Sequence, residues 1–271
     1  LTKKKNHVIL IPFSIDTPLF LEEYDSNKFF VVSDKTLNIY SCSRSQSITR
    51  DFTVFRTPFP KQIVNIKMWN DIPCHIESSY MFVICPKHIY IMDINHPDSK
   101  SCVFAFPNEE TICHVGYTSY GSRSFYRSQQ LHRVAQSQSE SPLPWLAIIT
   151  RYVNGQKHND NRQVFYRLHI FTIKFEQNDA PTLIPKYSKS LNVELISAIA
   201  ISLQSQEKID VFVGYCRKLI VYTINLRSKE MLKNASLSNL FTEIKDIVVK
   251  DDDPNASIKG YTVYVADNRR S

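Results

Sequence analysis

Basic side chains concentrate in two polar segments of this chain. The first runs from Thr118 to Pro144 and is rich in Ser, Gln and Arg, and the second runs from Arg151 to Arg167. Arginine and lysine recognise phosphate and carboxylate groups through charge-assisted hydrogen bonds. The alternative interpretation is that both are solvated surface loops. The residues expected to contact a partner or phosphate are Arg123, Arg127, Arg133, Arg151, Lys157, Arg162 and Arg167.

Cysteine and histidine neighbours are the only candidates for a metal site. Cys74-His75 and Cys113-His114 are adjacent pairs, and Cys85 and His88 flank a turn, but no CxxC spacing occurs. Adjacent residues of a strand point to opposite faces, so such pairs do not chelate one ion easily. We therefore expect no metal and no cofactor.

Carboxylates and nucleophiles give no clearer sign of catalysis. The paired acids Glu22-Glu23, Glu109-Glu110 and Asp251-Asp252-Asp253 are interpreted as solvated side chains of loops and strand starts. Serine, histidine and aspartate residues show no spacing that marks a triad, which is a matter of geometry and not of count. No catalytic residue is assigned, and we expect the protein not to be an enzyme.

Composition sets the class of protein. The 271 residues are 43% hydrophobic and 22% charged, which excludes a disordered chain. No apolar run approaches the roughly 18–20 residues of a membrane span. Only 5 glycines are present, and neither GxGxxG nor GxxxxGK occurs. The net charge of +7 favours an acidic partner or nucleic acid.

The six cysteines are isolated from one another, and most lie in apolar, strand-like stretches. This usage is typical of reduced, buried thiols and favours an intracellular protein. Two glycosylation-type triplets, at Asn234 and Asn255, keep a secreted enzyme as a further alternative. The chain begins without Met, so we expect its native N-terminus to be missing.

An internal repeat is the most specific feature. One eleven-residue pattern aligns without gaps at three positions, starts a fourth time at Tyr264, and is split into two halves near residue 147. Each copy has two apolar stretches around a short turn, as in a β-hairpin. The copies are Phe30–Tyr40, Phe82–Met92 and Phe212–Tyr222, with the halves Leu146–Ile149 and Leu168–Phe171.

A further strand is predicted before each hairpin and another after it. Pairs with Ile-x-x-Ile spacing precede the hairpins, such as Ile112/Val115 and Ile196/Ile199, and Thr53–Phe55 and Cys102–Phe106 follow two of them. A short helix is expected around Ser236 to Phe241. Four strands repeating every 50–65 residues predict an all-β β-propeller with four-stranded blades. A β-sandwich is the alternative.

The order of these segments resembles that of a degenerate WD-repeat β-propeller. Dipeptides stand where that family has Trp-Asp, namely Tyr40-Ser41, Met92-Asp93, Phe171-Thr172 and Tyr222-Thr223, and only Asp93 keeps the aspartate. The Gly-His dipeptide is absent. The divergent propellers of nucleoporins, splicing and transcription-factor subunits and damage-binding scaffolds are similar in this loss.

The resemblance implies a single propeller domain over residues 1–271, or its N-terminal part, with polar insertions at 118–144 and 151–167. About five blades are visible, which we expect to belong to a seven-bladed propeller continued beyond Ser271 or closed by a partner strand. The expected function is a non-catalytic scaffold that binds other protein subunits of a multi-subunit, nuclear complex. The alternative is a nucleic-acid-binding subunit that uses the basic blade.

Overall fold

A computed structural model gives the arrangement of the chain. It describes residues 20–25, 28–42, 52–69, 80–93, 98, 100–118, 145–153, 164–174, 182–193, 195–205, 207–251 and 261–267. The chain forms two compact units, Leu1–Ile63 and Val64–Ser271. Within the described ranges no helix has the length and hydropathy of a membrane span.

The first unit contains sheet 1, a four-stranded antiparallel meander. Its strands are β1 (Phe20–Asp25), β2 (Lys28–Ser33), β3 (Thr36–Cys42) and β4 (Phe52–Pro58), hydrogen-bonded in that order. Strands β2 and β3 are the first predicted hairpin, with Phe30 opposite Ile39. On β3 the alternate side chains Leu37 and Ile39 are buried, and on β2 the consecutive Val31 and Val32 are both buried.

The second unit repeats the same meander in three sheets. Sheet 2 consists of β5 (Asn65–Trp69), β6 (Tyr80–Ile84), β7 (His88–Asp93) and β8 (Ser101–Ala105). Sheet 3 consists of β9 (Glu110–Thr118), β10 (Trp145–Val153), β11 (Val164–Lys174) and β12 (Thr182–Leu191). Sheet 4 consists of β13 (Ile196–Ser205), β14 (Lys208–Tyr215), β15 (Lys218–Asn225) and β16 (Glu230–Ser238).

Sheet 5 has two strands within the described residues, β17 (Ile244–Asp251) and β18 (Tyr261–Asp267). The three gap-free hairpins and the split one of sheet 3 are confirmed, as are the fourth strands of sheets 1 and 2. Of the copy that starts at Tyr264, the described residues contain one strand, β18. The helix expected around Ser236 to Phe241 is wrong. Ser236 lies in β16 opposite Ile220 of β15, because pairing with β15 supplies backbone partners that an isolated helical turn lacks.

A β-bulge explains the Ile-x-x-Ile spacing. Residues three apart on a regular strand point to opposite faces, but one extra residue between them restores the same face. The pairing register shifts between Ile196 and Ala198 and again between Ile244 and Asp246. Both members of each pair consequently point into one core. Ile196 and Ile199 pack towards sheet 3, and Ile244 and Ile247 pack towards sheet 4.

Sheets 2 to 5 stack face to face in chain order. One core lies between sheets 2 and 3 and includes Phe82, Ile148 and Phe171. The next lies between sheets 3 and 4, and a third lies between sheets 4 and 5. The first strands of successive sheets, β9, β13 and β17, are neighbours. Four-stranded antiparallel sheets stacked in this way are propeller blades, so the predicted all-β propeller class is confirmed. The number of blades stays a prediction.

The cysteines only partly follow the expectation of buried thiols. Cys85 is buried, and this burial raises the pKa of its thiol to about 11. Cys102 and Cys216 are exposed free thiols, which corrects the prediction for those two. Cys102 lies on β8, the outer strand of sheet 2, and Cys216 lies in the β14–β15 turn with a φ of 49°. The side chains of Cys42 and Cys74 lie outside the description.

Two glycines mark close approaches between sheets. A Cβ atom on Gly214 of β14 would lie 2.8 Å from Cγ2 of Ile244 and 3.3 Å from Cδ1 of Ile247. A Cβ atom on Gly116 of β9 would lie 3.5 Å from the backbone of Ala200, which is ordinary contact. Gly214 is therefore needed for β17 to pack on sheet 4, whereas a methyl group fits at position 116 without a clash.

Gly214→Ala is expected to lower the free energy of unfolding by about 1–3 kcal/mol, because the new methyl group overpacks the contact between sheets 4 and 5. Gly116→Ala is the matched control and should change it by less than about 1 kcal/mol. Urea unfolding followed by circular dichroism measures both. Equal effects of the two substitutions would contradict the packing argument.

Candidate functional site

The two predicted insertions leave sheet 3 at opposite ends. Thr118 and Trp145 are paired at one end of β10, where residues 119–144 connect them, and Val153 and Val164 are paired at the other end, where 154–163 connect them. The nine-residue strand separates these ends by about 27 Å. Residues 151–153 and 164–167, expected within the second insertion, belong to strands. Among the predicted contact residues, Arg123, Arg127, Arg133, Lys157 and Arg162 lie outside the described residues.

The two predicted contact residues that are described lie on opposite faces of sheet 3. Arg167 is directly opposite Thr150 in the β10–β11 ladder, whereas Arg151 is opposite Tyr166. Neighbouring positions of a strand alternate between faces, so the two arginines do not share one. Arg151 is exposed, while Arg167 is half-buried on the face towards sheet 2. Their role in binding a partner stays a prediction.

Arg167 is tied to the carboxylate of Glu110 on the first strand of the sheet. Its guanidinium donates a hydrogen bond to Oε1 of Glu110 and forms an ion pair with it. The Arg167 side chain keeps 35% of its surface exposed. Its guanidinium carbon lies 4.9 Å from the centre of the Tyr152 ring, within the range of a cation–π contact.

Glu110 is the centre of a hydrogen-bonded row that crosses all four strands. The Thr150 hydroxyl of β10 donates to Oε2 of Glu110 at 2.7 Å, and Nε2 of His169 on β11 lies 3.0 Å from the same oxygen. On β12, the Ser188 hydroxyl lies 3.2 Å from Nδ1 of His169. These partners assign the neutral tautomer in which Nε2 donates to Glu110 and Nδ1 accepts from Ser188.

Local structure places Glu110 at this position. Its backbone N–H donates to the carbonyl of Pro107 at 3.0 Å, which closes the turn between β8 and β9. Two residues later on the same face, Ile112 enters the core between sheets 2 and 3. The His169 ring makes an edge contact with Phe106 at 5.0 Å between centroids. The row therefore lies at the edge of that core.

The interpretation of Glu109 and Glu110 as a pair of solvated acids is half wrong. Glu109 is exposed, but Glu110 is 4% exposed, because strand β9 turns it towards sheet 2. Sequence reasoning did not single out Thr150, His169 or Ser188. The available signal was the alternation of Arg167 and His169 with Leu168 and Ile170 along one strand, which puts two polar residues on one face.

Burial controls the protonation of two histidines. Desolvation lowers the pKa of His169, the Glu110 carboxylate opposes that shift, and Arg167 adds to it. Desolvation also lowers the pKa of His114, whose Nε2 donates to the carbonyl of Ile196 at 2.8 Å and so links sheet 3 to sheet 4. Both rings are consequently held neutral near pH 7.

Sheet 4 has a second row with one polar side chain from each strand. Gln204 of β13 donates to Oδ2 of Asp210 at 3.0 Å, Thr223 of β15 donates to Oδ1 of Asp210, and Asn234 of β16 donates to Thr223. Tyr261 of sheet 5 also hydrogen-bonds to Asp210, and burial, aided by the Asp210 charge, raises the tyrosine pKa to about 12. This row joins sheets 4 and 5.

The aromatic rings beside Arg167 extend the first row towards solvent. Tyr152 and Phe165 stack at the end of the β10–β11 hairpin, with 5.5 Å between centroids and 22° between ring planes. The Tyr152 hydroxyl lies 3.4 Å from Oγ of Ser190 on β12. Both rings are half-buried. We call Tyr152, Phe165 and Arg167 the aromatic–arginine cluster.

The first row provides hydrogen bonds and compensates the buried charge of Glu110. Ser188, His169 and Glu110 are connected in the order of a nucleophile, a base and an acid, and Glu110 also accepts hydrogen bonds from Arg167 and Thr150. In the part of the chain that the structure describes, no group of three His, Cys, Asp or Glu side chains is arranged to hold a metal ion. The row connects the four strands of sheet 3 through side chains and holds Arg167 against Glu110.

Comparison with known proteins finds that the chain is similar in structure to solved propellers. No protein-family model and no curated protein sequence matches the chain. The structure of the Dos1 propeller is similar, with 10% identity and a TM-score of 0.41, over 82% of this chain and 47% of that chain. BBS1N, solved in complex with ARL6DN, is similar with 13% identity and a TM-score of 0.41, over 93% of this chain and 77% of that chain. The chain thus spans about half the length of the Dos1 propeller structure.

Glu110→Ala is expected to lower the free energy of unfolding by about 2–4 kcal/mol, because it leaves Thr150, His169 and Arg167 without their shared acceptor. Glu109→Ala removes an exposed neighbouring carboxylate and should change it by less than about 0.5 kcal/mol. Chemical unfolding of the two variants measures the difference. A Glu110→Ala protein as stable as Glu109→Ala would show that the row does not stabilise the sheet.

Stability is also expected to fall in mild acid. The folded-state pKa of His169 lies below its ordinary value of 6.5, so the unfolded chain takes up the proton first. This contribution to stability is complete above pH 6.5 and is lost as the pH falls below it. Unfolding free energies measured between about pH 7.5 and 5 should show the loss. His169→Gln should reduce the slope and leave the part that comes from the buried His114, and an unchanged slope would contradict this assignment.

Proposed function

We propose that this chain is a non-catalytic, WD-repeat-like propeller that serves as an interaction platform for other protein subunits of a nuclear assembly. The observation that carries the proposal is the aromatic–arginine cluster at the hairpin end of sheet 3. Tyrosine, phenylalanine and arginine are the residue types enriched in protein interfaces. The basic net charge of +7 supports nuclear placement.

The cluster is suited to binding because it is already ordered. Glu110 orients Arg167, Arg167 lies over Tyr152, and Tyr152 stacks on Phe165. Side chains fixed before association lose less conformational entropy when a partner binds. Arg167 retains exposed surface, so part of its guanidinium is available to an acceptor on the partner.

Nucleic-acid binding is the second candidate. It is favoured by the exposed basic residues Arg151, Lys186 and Lys189, all on sheet 3. Phosphate contacts by such residues would make affinity fall steeply with salt, and Tyr152 would supply a stacking surface. A mainly apolar protein interface would not show that salt dependence.

The test is affinity purification of the protein from its own cells, with and without nuclease, followed by mass spectrometry. We expect a stoichiometric set of proteins to copurify even after nuclease treatment. The Tyr152→Ala/Phe165→Ala variant should recover about tenfold less of these proteins. Leu195→Ala, which removes an exposed apolar side chain outside the cluster, should leave the set unchanged.

Other results would decide against the platform. Associations that vanish with nuclease and weaken with Lys186→Ala/Lys189→Ala would favour the nucleic-acid candidate. A set of proteins that is insensitive to the Tyr152 and Phe165 substitutions would remove the cluster from the interface. If nothing copurifies, the platform proposal fails.

A further inference from the structure

The outer strands of sheets 3 and 4 place lysines on both sides of the gap between these two complete sheets. On β12, Lys189 is opposite Leu168 of β11, which belongs to the core between the two sheets. On β16, Lys233 is opposite Tyr222 of β15, which packs against the same core. Directly opposite residues of an antiparallel ladder share a face. Lys189 and Lys233 therefore point into this gap, which we call the outer cleft, and both are exposed.

Two further cations lie at one end of the outer cleft. Lys218 of β15 is opposite Tyr215, which follows the core residue Val213 by two positions, so Lys218 also points towards sheet 3. Arg151 of β10 is opposite Tyr166, a core residue of the face towards sheet 4. Lys218 and Arg151 are both exposed. The two sheets thus contribute two cations each.

The four cations form a row along the cleft. Residues 192–195 join the end of β12 to the start of β13, so the two sheets share this end, where Lys218 begins β15. Lys189 lies next to it on β12, and Lys233 pairs with Tyr222 further along β15. At about 3.3 Å per strand residue, the row extends over about 13 Å. Such a row suits a ligand with several anionic groups in succession.

The carboxylates of the described ranges point away from the outer cleft. Glu110 bonds to Arg167 on the face of sheet 3 towards sheet 2, and Asp210 bonds to Tyr261 of sheet 5. On β16, Glu230 is next to Met231, which packs towards sheet 3, so Glu230 lies on the other face. In these ranges no carboxylate forms an ion pair with the four cations. The cleft is therefore basic along its length.

Hydroxyl donors line the cleft between the cations. Tyr187 of β12 is 7% exposed, and its hydroxyl has no hydrogen-bond partner among the described residues. Tyr222 is half-buried beside Lys233. Burial raises the pKa of both tyrosines, so their hydroxyls stay protonated and can donate to an anion.

Apolar side chains of the cleft are already used by the core. Tyr187 and Leu191 of β12 and Met231 of β16 all pack into the core between sheets 3 and 4. The anchor residue of a protein partner needs a pocket that such side chains would have to vacate. A ligand of the outer cleft is therefore recognised by charge and hydrogen bonding, which favours phosphates over an acidic protein segment.

We propose that the outer cleft binds a single strand of nucleic acid through its phosphates. Sites for single strands combine a positively charged groove for the backbone with aromatic rings for the bases, and Tyr222 supplies a ring here. Packed sheets lie about 10 Å apart, so the cleft accepts one strand and not a duplex. The inference rests on the nucleic-acid candidate of the proposed function, and it adds Lys218 and Lys233 of sheet 4 to that surface.

Fluorescence anisotropy with a labelled single-stranded oligonucleotide of about 20 nucleotides tests the cleft. We expect the logarithm of the affinity to fall linearly with the logarithm of the salt concentration, because bound phosphates release counterions. Lys189→Ala/Lys233→Ala should reduce the steepness of this line by about 1.4, since each phosphate contact of a single strand contributes about 0.7. Lys208→Ala/Lys245→Ala removes the same charge from exposed lysines outside the cleft and should leave the slope unchanged.

Two controls separate the charge of the cleft from its folding. Both cleft lysines are exposed, so Lys189→Ala/Lys233→Ala should leave the melting temperature unchanged. Lys189→Arg/Lys233→Arg keeps both charges and should keep the slope. Unlabelled single strand should displace the probe better than a duplex of the same length or poly-glutamate does.

Four results would overturn the inference: an unchanged slope in Lys189→Ala/Lys233→Ala, an equal change in the control variant, a duplex that competes as well as the single strand, or poly-glutamate that does so. The last result would favour an acidic protein as the ligand. If the oligonucleotide binds and the cleft variant keeps its slope, the nucleic-acid candidate stands and the cleft fails. If the oligonucleotide does not bind, both fail.

The platform proposal is tested separately from the cleft. Tyr152 and Phe165 are paired on the face of sheet 3 towards sheet 2, whereas the outer cleft lies on the face towards sheet 4. Tyr152→Ala/Phe165→Ala should therefore leave the salt slope for the oligonucleotide unchanged. A loss of protein partners with an intact slope would support both proposals independently.

Discussion

Each complete sheet of the second unit has two apolar faces, and this constraint governs the rest of the structure. A sheet of four short strands is stable only when a neighbour covers each face, so the sheets stack in chain order. The bulge at the start of the inner strands makes this possible, because it turns Ile196 and Ile199, and likewise Ile244 and Ile247, towards the preceding sheet. Gly214 completes the contact by letting β17 approach β14.

Polar residues enter this apolar stack only as connected rows. Glu110 in sheet 3 and Asp210 in sheet 4 are buried carboxylates, and each is satisfied by side chains from the other strands of its sheet. Buried charges without partners would destabilise the fold, whereas these rows connect four strands through side chains as well as backbone. The same row that stabilises sheet 3 orients Arg167 towards solvent, which links the stability of the blade to its surface chemistry.

The chain offers two surfaces with different physical characters. The aromatic–arginine cluster is polar, ordered and placed at a hairpin end, as an interface hot spot would be. The cluster suits a protein partner, whereas the exposed Arg151, Lys186 and Lys189 of sheet 3 suit phosphates.

The sequence by itself determined the repeat, the hairpins and the four-stranded unit, because apolar alternation and turn position are local properties of a strand. It predicted Arg167 as a surface contact but not its pairing with Glu110, because residues 57 positions apart meet only through the order of strands in a sheet. It assigned Arg151 and Arg167 to one polar insertion, whereas both lie on strands of sheet 3 and point to opposite faces of that sheet. The helix expected near Ser236 was replaced by a strand, because the free backbone edge of β15 outweighed local propensity. Only the tertiary structure decided which face of each strand is covered, since that depends on the neighbouring sheet and not on the residues of the strand.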